Sequence, residues 1–293
     1  MKILIFGANG MIGHCVFQHL RRRHDVRGTL RQGFTDYRNI SFLNAKTAVP
    51  NTDITNQKRL TTTIGEYQPD VVVNATGIVK QLSEHYSKAN IIEVNALAPH
   101  RLAEACASSN ARLIQFSSDC VFSGKKGTYS EEDLGDAEDI YGLTKYLGEV
   151  SSLHCVTLRT SSIGLEIGHG HGLVEWFLRQ KGRVKGFTQA IYSGVTTMEL
   201  ARVVEFIIVH HRSMNGLWQV SSEPISKYQL LTSLSAKLGR TDIEIEPDDS
   251  FVCDRSLQSQ RFRDYTGYRI PSWQSMLKDL ADRIVGRANK GEM

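Results

Sequence analysis

A short apolar run, Lys2-Ile3-Leu4-Ile5-Phe6, passes without a break into Gly7-Ala8-Asn9-Gly10-Met11-Ile12-Gly13. A strand that ends in three glycines and turns at once into a helix lets an anion such as a pyrophosphate approach the backbone N–H groups at the helix N-terminus. The same glycines also suit a tight turn with no ligand, so the rest of the chain must decide between the two.

Through the first 160 residues, short β-branched runs alternate with stretches of helical periodicity. Strands are expected at 2–6, 25–30, 70–74, 112–116 and 155–160, and helices at 12–22, 56–67, 83–108 and 140–152. This alternation predicts an α/β class, a doubly wound parallel sheet of Rossmann type, over residues 1–160. Residues 161–293 read as a smaller α/β substrate-binding region, packed on the first and partly interleaved with it. There, Thr196-Thr197-Met198-Glu199 and Ser226-Lys227-Tyr228-Gln229 have the form of capping boxes, strands are expected at 217–220 and 243–245, and a last helix follows Pro271. The absence of a Pro/Gly/Ser linker directs attention to the groove between the two parts as the ligand site.

Composition narrows the function. With 293 residues, 41% hydrophobic and 23% charged, the chain is long and apolar enough for a real core, and a net charge of +4 excludes a nucleic-acid polycation while admitting an acidic small ligand. A membrane span needs about 20 consecutive apolar residues, and no such run or signal peptide occurs, so a cytoplasmic location is expected. Cys15, Cys106, Cys120, Cys155 and Cys253 are scattered with no CxxC spacing and read as reduced, buried residues.

The second strand ends Gly28-Thr29-Leu30-Arg31, without the carboxylate that takes the ribose 2′-OH of NAD. Arg31 suits a 2′-phosphate, which favours NADPH, with NADH as the second choice; a solvated arginine in a basic stretch is the alternative. Tyr141 and Lys145 stand at i and i+4 and project from one helix face, where the ammonium is expected to pull the phenol pKa down toward that of a working proton donor. Ser118 lies in a hydroxyl-rich turn after the strand at 112–116, placed to hydrogen-bond a carbonyl, and Asp119 reads equally as a cap. Pro99 must displace the Asn95 carbonyl within the helix at 83–108, which would leave room for a water relay beside Lys145 or simply bend the helix. His169 and His171, near Glu166 and Glu175, mimic a metal cluster, but their glycine-rich surroundings read as a loop, and no metal is expected.

The glycine turn, Phe116 to Gly124, Tyr141 to Glu149 and Leu158-Arg159-Thr160-Ser161 together resemble the extended short-chain dehydrogenase/reductases, in particular the dTDP-4-dehydrorhamnose reductase branch. Asn74 to Gly77, Asn95 to Pro99 and Pro271-Ser272-Trp273 extend the likeness through nearly the whole chain. The resemblance implies an NADPH-dependent reduction of the C4 ketone of a nucleotide-linked 4-keto-6-deoxyhexose. It implies that Tyr141 protonates the alkoxide, Lys145 holds the nicotinamide ribose and tunes Tyr141, and Ser118 orients the ketone. By the same match, Gly7, Gly10, Met11, Ile12 and Gly13 would line the pyrophosphate, Asp53 and Ile54 the adenine, and Ala75, Thr76 and Gly77 a ribose. Lys80, after the strand at 70–74, and Arg255, in the late loop that matches the sugar-nucleotide segment, are expected at the substrate mouth.

Three segments depart from that branch: Cys120 stands where an aromatic is usual, Tyr192 to Thr197 where a Gln-x-Gly-x-Pro-Thr-like run is usual, and Cys253 to Ser256 where an Arg-Pro-containing run is usual. A UDP-linked 2-acetamido-2,6-dideoxy-4-ketohexose is therefore a second substrate choice. A sugar-nucleotide epimerase of the same fold, and a non-catalytic NADP-binding subunit resembling that of methionine adenosyltransferase, are the competing readings. A dehydratase is disfavoured because Ser118-Asp119-Cys120 lacks the glutamate. A homodimer is left open.

Overall fold

The structure, a computed structural model, describes residues 1–168 and 170–289. At its centre lies an all-parallel sheet of seven strands in the order Gly216–Gln219, Cys155–Arg159, Arg112–Phe116, Val71–Asn74, Lys2–Phe6, Asp25–Thr29 and Ala48–Val49. Ile3 and Ile5 join a core beneath the helices Met11–Leu20 and Thr197–His210, while Leu4 and Phe6 join a second core beneath Gln57–Tyr67 and Ala98–Ser108. Both faces of the sheet are covered, which is why its strands read as unbroken apolar runs. Fully burying such a side chain is worth roughly 1.5–3 kcal/mol, so Ile3 to Phe6, all at 0% exposure, anchor the first strand in the middle of the sheet.

This is the doubly wound α/β class expected. From Lys2–Phe6 the chain builds outward on one side and returns through Val71–Asn74 on the other, so the carboxyl ends of these two strands part at a topological switch point, where such sheets bind ligands.

Several elements differ from expectation. The strand expected at 217–220 occurs as Gly216–Gln219 and extends the main sheet beside Cys155–Arg159. The long helix at 83–108 is broken into a 3-10 turn at Lys80–His85, a helix at Lys88–Ile92, a π-helical turn at Glu93–Leu97 and a helix at Ala98–Ser108 that takes Pro99 into its first turn. Pro99 has no N–H to give, and the wider π turn accommodates its ring. The helix at 140–152 stops at Leu147. Of the two capping boxes, Ser226 and Gln229 form the complete reciprocal pair. Thr196 accepts from the Glu199 N–H, but the Glu199 carboxylate is engaged by Tyr268 and Arg202.

A three-stranded sheet beyond residue 189 has Ala190–Tyr192 at its centre, Ile225–Ser226 antiparallel on one side and Cys253–Asp254 parallel on the other. It abuts the main unit where Arg255 and Cys253 meet the loop at 120–124.

Candidate active site

Gly7 has φ +76°, and a Cβ there would press on the Ala75 backbone; a Cβ on Gly13 would run into the Gly7 carbonyl. Only glycine at both positions lets the helix Met11–Leu20 start this close to the strand ends. Beside this turn opens a cleft of about 380 Å³, with Gly7, Asn9 and Gly10 on its floor. Thr29, Arg31, Asp53 and Ile54 line one wall, and Ala75, Thr76 and Gly77 another. Met11 and Ile12 begin the helix itself, and their side chains turn elsewhere: Ile12 packs against the core and the Met11 sulfur lies toward Gly172.

The cleft walls are held by their own hydrogen bonds. Asn74 Oδ1 accepts from Thr76 N at 3.1 Å and Thr76 Oγ1 at 2.6 Å, and Asn95 brackets Ile78 by accepting from its N–H at 2.8 Å and donating to its carbonyl at 2.9 Å. Asp53 Oδ1 accepts from Thr55 N and Oγ1, so its carboxylate secures the loop it sits in. Arg31 is exposed on the rim at the end of the second strand. A glycine cradle that side chains would fill, with a guanidinium at its edge, fits a phosphorylated dinucleotide.

Ser118 and Asp119 follow the strand Arg112–Phe116, and the helix Ile140–Leu147 carries Tyr141 and Lys145. This helix approaches closely because Gly142, packed on the Cys120 carbonyl, leaves no space for a Cβ. Asp139 caps it by accepting from Gly142 N at 3.0 Å. The structure brings Ser118 and Tyr141 together, and the serine hydroxyl helps hold the phenol pKa down. Burial outweighs that help, and with Cys120 and Asp119 adding to it the Tyr141 pKa lies above its ordinary value.

The expected pull from Lys145 does not decide the direction. Lys145 Nζ donates instead to the Phe116 carbonyl oxygen at 2.7 Å, and burial lowers the lysine pKa to about 8. Ser118 Oγ lies 3.2 Å from Asp119 Oδ1 and accepts from Cys120 N at 3.1 Å. Asp119 is only 5% exposed, and its burial raises the carboxyl pKa against the opposing pull of Lys227 and Arg255.

Of the two cations expected at the mouth, Lys80 pairs with Asp139 at 2.9 Å. Arg255 donates through Nε to the Phe122 carbonyl at 2.8 Å and directs Nη1 toward Cys120 Sγ at 3.7 Å. Cys120 and Cys253 are only partly buried, unlike Cys15, Cys106 and Cys155, and all five are free thiols.

The water relay expected beside Asn95 meets a different neighbour. Gly148 packs directly on the Asn95 carbonyl. His169 lies outside the described residues. The His171 backbone N–H donates to Glu166, and Glu175 pairs with Arg287 at 2.6 Å.

Two further residues stand beside Asp119 that the sequence does not mark for chemistry. Lys227 stood inside a capping box and Tyr192 inside a departing segment, yet Lys227 Nζ lies 4.0 Å from the Tyr192 ring centroid beside Asp119. One signal was legible: a lysine in the first turn of a helix opposes the helix dipole, so something other than helix stability has to account for it.

The chain matches the family model described as the RmlD substrate binding domain over residues 1–285. It is 30% identical over 237 residues to a dTDP-4-dehydrorhamnose reductase from Aggregatibacter actinomycetemcomitans, covering 76% of this chain and 74% of that protein. The spore coat polysaccharide biosynthesis protein SpsK of Bacillus subtilis (strain 168) is 31% identical over 202 residues, 64% of this chain and 68% of its own. Among solved structures, a dTDP-4-dehydrorhamnose reductase from Bacillus anthracis str. Ames in complex with NADP has a TM-score of 0.78 at 20% identity, over 96% of this chain and 99% of that one.

Proposed function

Because the chain belongs to the RmlD substrate binding domain family, a branch of the extended short-chain dehydrogenase/reductases, we propose that it is an NADPH-dependent reductase of the C4 ketone of a nucleotide-linked 4-keto-6-deoxyhexose. The sugar nucleotide would be of the dTDP-4-dehydrorhamnose type or its UDP-linked 2-acetamido-2,6-dideoxy counterpart, made for cell-surface polysaccharide. The observation that carries the reading is the meeting of Ser118 and Tyr141 at the carboxyl end of the sheet, on the same edge as the glycine-floored cleft.

In this reading the turn from Gly7 to Gly13 takes the cofactor diphosphate on backbone N–H groups, with Met11 and Ile12 contributing main chain only. Arg31 takes the 2′-phosphate, Asp53 and Ile54 flank the adenine, and Ala75, Thr76 and Gly77 border a ribose. NADPH, when bound, supplies the hydride that the carbonyl carbon gains. Ser118 Oγ donates to the ketone oxygen, turning its proton away from Asp119, and Tyr141 hands its phenolic proton to the same oxygen as negative charge builds there. The raised Tyr141 pKa keeps that proton in place at neutral pH. Lys145, tethered to Phe116, supports the nicotinamide ribose. Lys80 and Arg255 face the incoming sugar nucleotide.

The experiment is a screen of NADPH oxidation with dTDP- and UDP-linked 4-keto-6-deoxy sugars. Turnover on at least one is expected; tight NADPH binding without turnover on any would favour a binding subunit of the same fold.

A further inference from the structure

The small sheet beyond residue 189 brings three hydrogen-bond donors to one place. Tyr192 lies on the central strand, Lys227 follows directly on Ile225–Ser226, and Arg255 follows Cys253–Asp254 and is tied to the Tyr192 strand by its N–H to the Ile191 carbonyl at 3.0 Å. Arg255 reaches the Asp119–Cys120 turn, with Nη1 3.7 Å from Cys120 Sγ, Lys227 Nζ lies 4.0 Å from the Tyr192 ring centroid, and Asp119 acts electrostatically on all three.

None has its donors used up. The Tyr192 hydroxyl is buried, in a residue only 3% exposed, and has no hydrogen-bond partner among the described residues. Lys227 Nζ rests over the Tyr192 ring at 4.0 Å, and among the described residues no carboxylate comes within 4.0 Å of it to form an ion pair. Arg255 spends Nε on the Phe122 carbonyl, and among the described residues its Nη1 finds only a thiol sulfur at 3.7 Å, a weak acceptor. The carboxylate that acts on all three, two cations and a phenol, is the buried Asp119. A buried donor left unmatched, as at the Tyr192 hydroxyl, is costly, and so is a lysine at a helix N-terminus, unless a ligand supplies the acceptors.

We infer that Lys227, Arg255 and Tyr192 form an oxyanion subsite, which binds a negatively charged oxygen group of the substrate next to Ser118. The inference rests on the reading of this cleft as a sugar-nucleotide site and adds to it the group that Lys227 recognises. Two parts of such a molecule carry that chemistry: the diphosphate, and a carboxylate on the hexose. Tyr192 and Arg255 belong to segments that differ from the reductase branch, so the subsite would set which sugar nucleotide this chain accepts.

The test is calorimetric binding of UDP, dTDP and UDP-glucuronic acid to wild type, Lys227→Met, Lys227→Arg and, as a surface control, Lys185→Met. A lost charge-assisted hydrogen bond should weaken binding about tenfold or more in Lys227→Met, with recovery in Lys227→Arg and no change in Lys185→Met. Equal losses for the nucleoside diphosphates and UDP-glucuronic acid assign the subsite to the diphosphate. A loss confined to UDP-glucuronic acid assigns it to a hexose carboxylate. Wild-type affinity of Lys227→Met for all three probes, or no binding of any probe to the wild type, overturns the inference. Binding is read without turnover, so an inactive protein that still loses these probes on Lys227→Met would contradict the proposed reaction and leave the subsite standing.

Discussion

Lys145 Nζ donates to the carbonyl oxygen of Phe116 at 2.7 Å, so the helix that carries Tyr141 is pinned to the last residue of the strand that leads into Ser118. The ammonium is buried there, with Glu149 the one charge that favours it, and its pKa falls from 10.5 to about 8.

Between those two values the unfolded chain keeps a proton on this lysine that the folded chain has released. Folding therefore strengthens with rising pH in that window, and the full cost of the buried charge is felt below it. Urea denaturation of wild type and Lys145→Met should show the wild type gaining on the variant as pH climbs from about 8 toward 10.5. A difference that does not change with pH would mean the ammonium is not buried in this way.

Arg31 is the only side chain from the predicted cofactor set that could tell NADPH from NADH. A charge-assisted contact to the 2′-phosphate is worth roughly 1.5–3 kcal/mol, so Arg31→Ala should weaken NADPH by about tenfold or more and leave NADH nearly unchanged. Equilibrium titration with both cofactors measures this, and equal losses would remove Arg31 from the site.

Glu149 and Arg159 form a forked ion pair, with Nε to Oε1 at 2.7 Å and Nη2 to Oε2 at 2.8 Å, and Ser117 Oγ donates to the same Oε1 at 2.6 Å. The arginine side chain is 3% exposed. Glu149→Ala strands that charge and should cost about 3–5 kcal/mol of stability, since breaking one side of a buried pair leaves the other uncompensated. Denaturant melts that place the variant within about 0.5 kcal/mol of wild type, the range of an ordinary surface change, would refute the pair's structural role.

Burial on both faces made the parallel strands legible: where every residue is apolar, as from Ile3 to Phe6 or Val71 to Val73, the run marks itself. Gly216–Gln219 was harder to assign because it is an edge strand whose first two residues are only partly buried, so nothing local says which sheet it joins. The Tyr141 and Lys145 spacing was visible, but the direction of the phenol pKa was not. That direction is set first by the burial of the phenol, which only the folded chain creates, and the Phe116 carbonyl that captures Lys145 is 29 residues away in sequence. Lys227 was hidden for the same reason: the strand pairing that sets it beside Tyr192 and Asp119 is long-range, and Ser226 to Gln229 has a complete local explanation as a helix cap.

Tyr141→Phe should lower kcat by about two to four orders of magnitude, the usual contribution of a positioned acid, with NADPH affinity nearly intact. Because its pKa is raised, wild-type Tyr141 should contribute no tyrosinate absorbance below pH 10, its ordinary pKa, when compared with the variant. Wild-type turnover in Tyr141→Phe would move the proton donor to Asp119 or a water.

Delivery of a hydride to a sugar carbon in this cleft is read from isotope transfer. NADPH carrying deuterium at the transferable position is incubated with the protein and the 4-keto-6-deoxy sugar nucleotides, and the products are analysed by mass spectrometry and NMR. The expected product carries one deuterium on carbon 4 of a new secondary alcohol, formed one for one with NADP. NADPH that binds but is never consumed, or a product sugar with no deuterium at carbon 4, would contradict it.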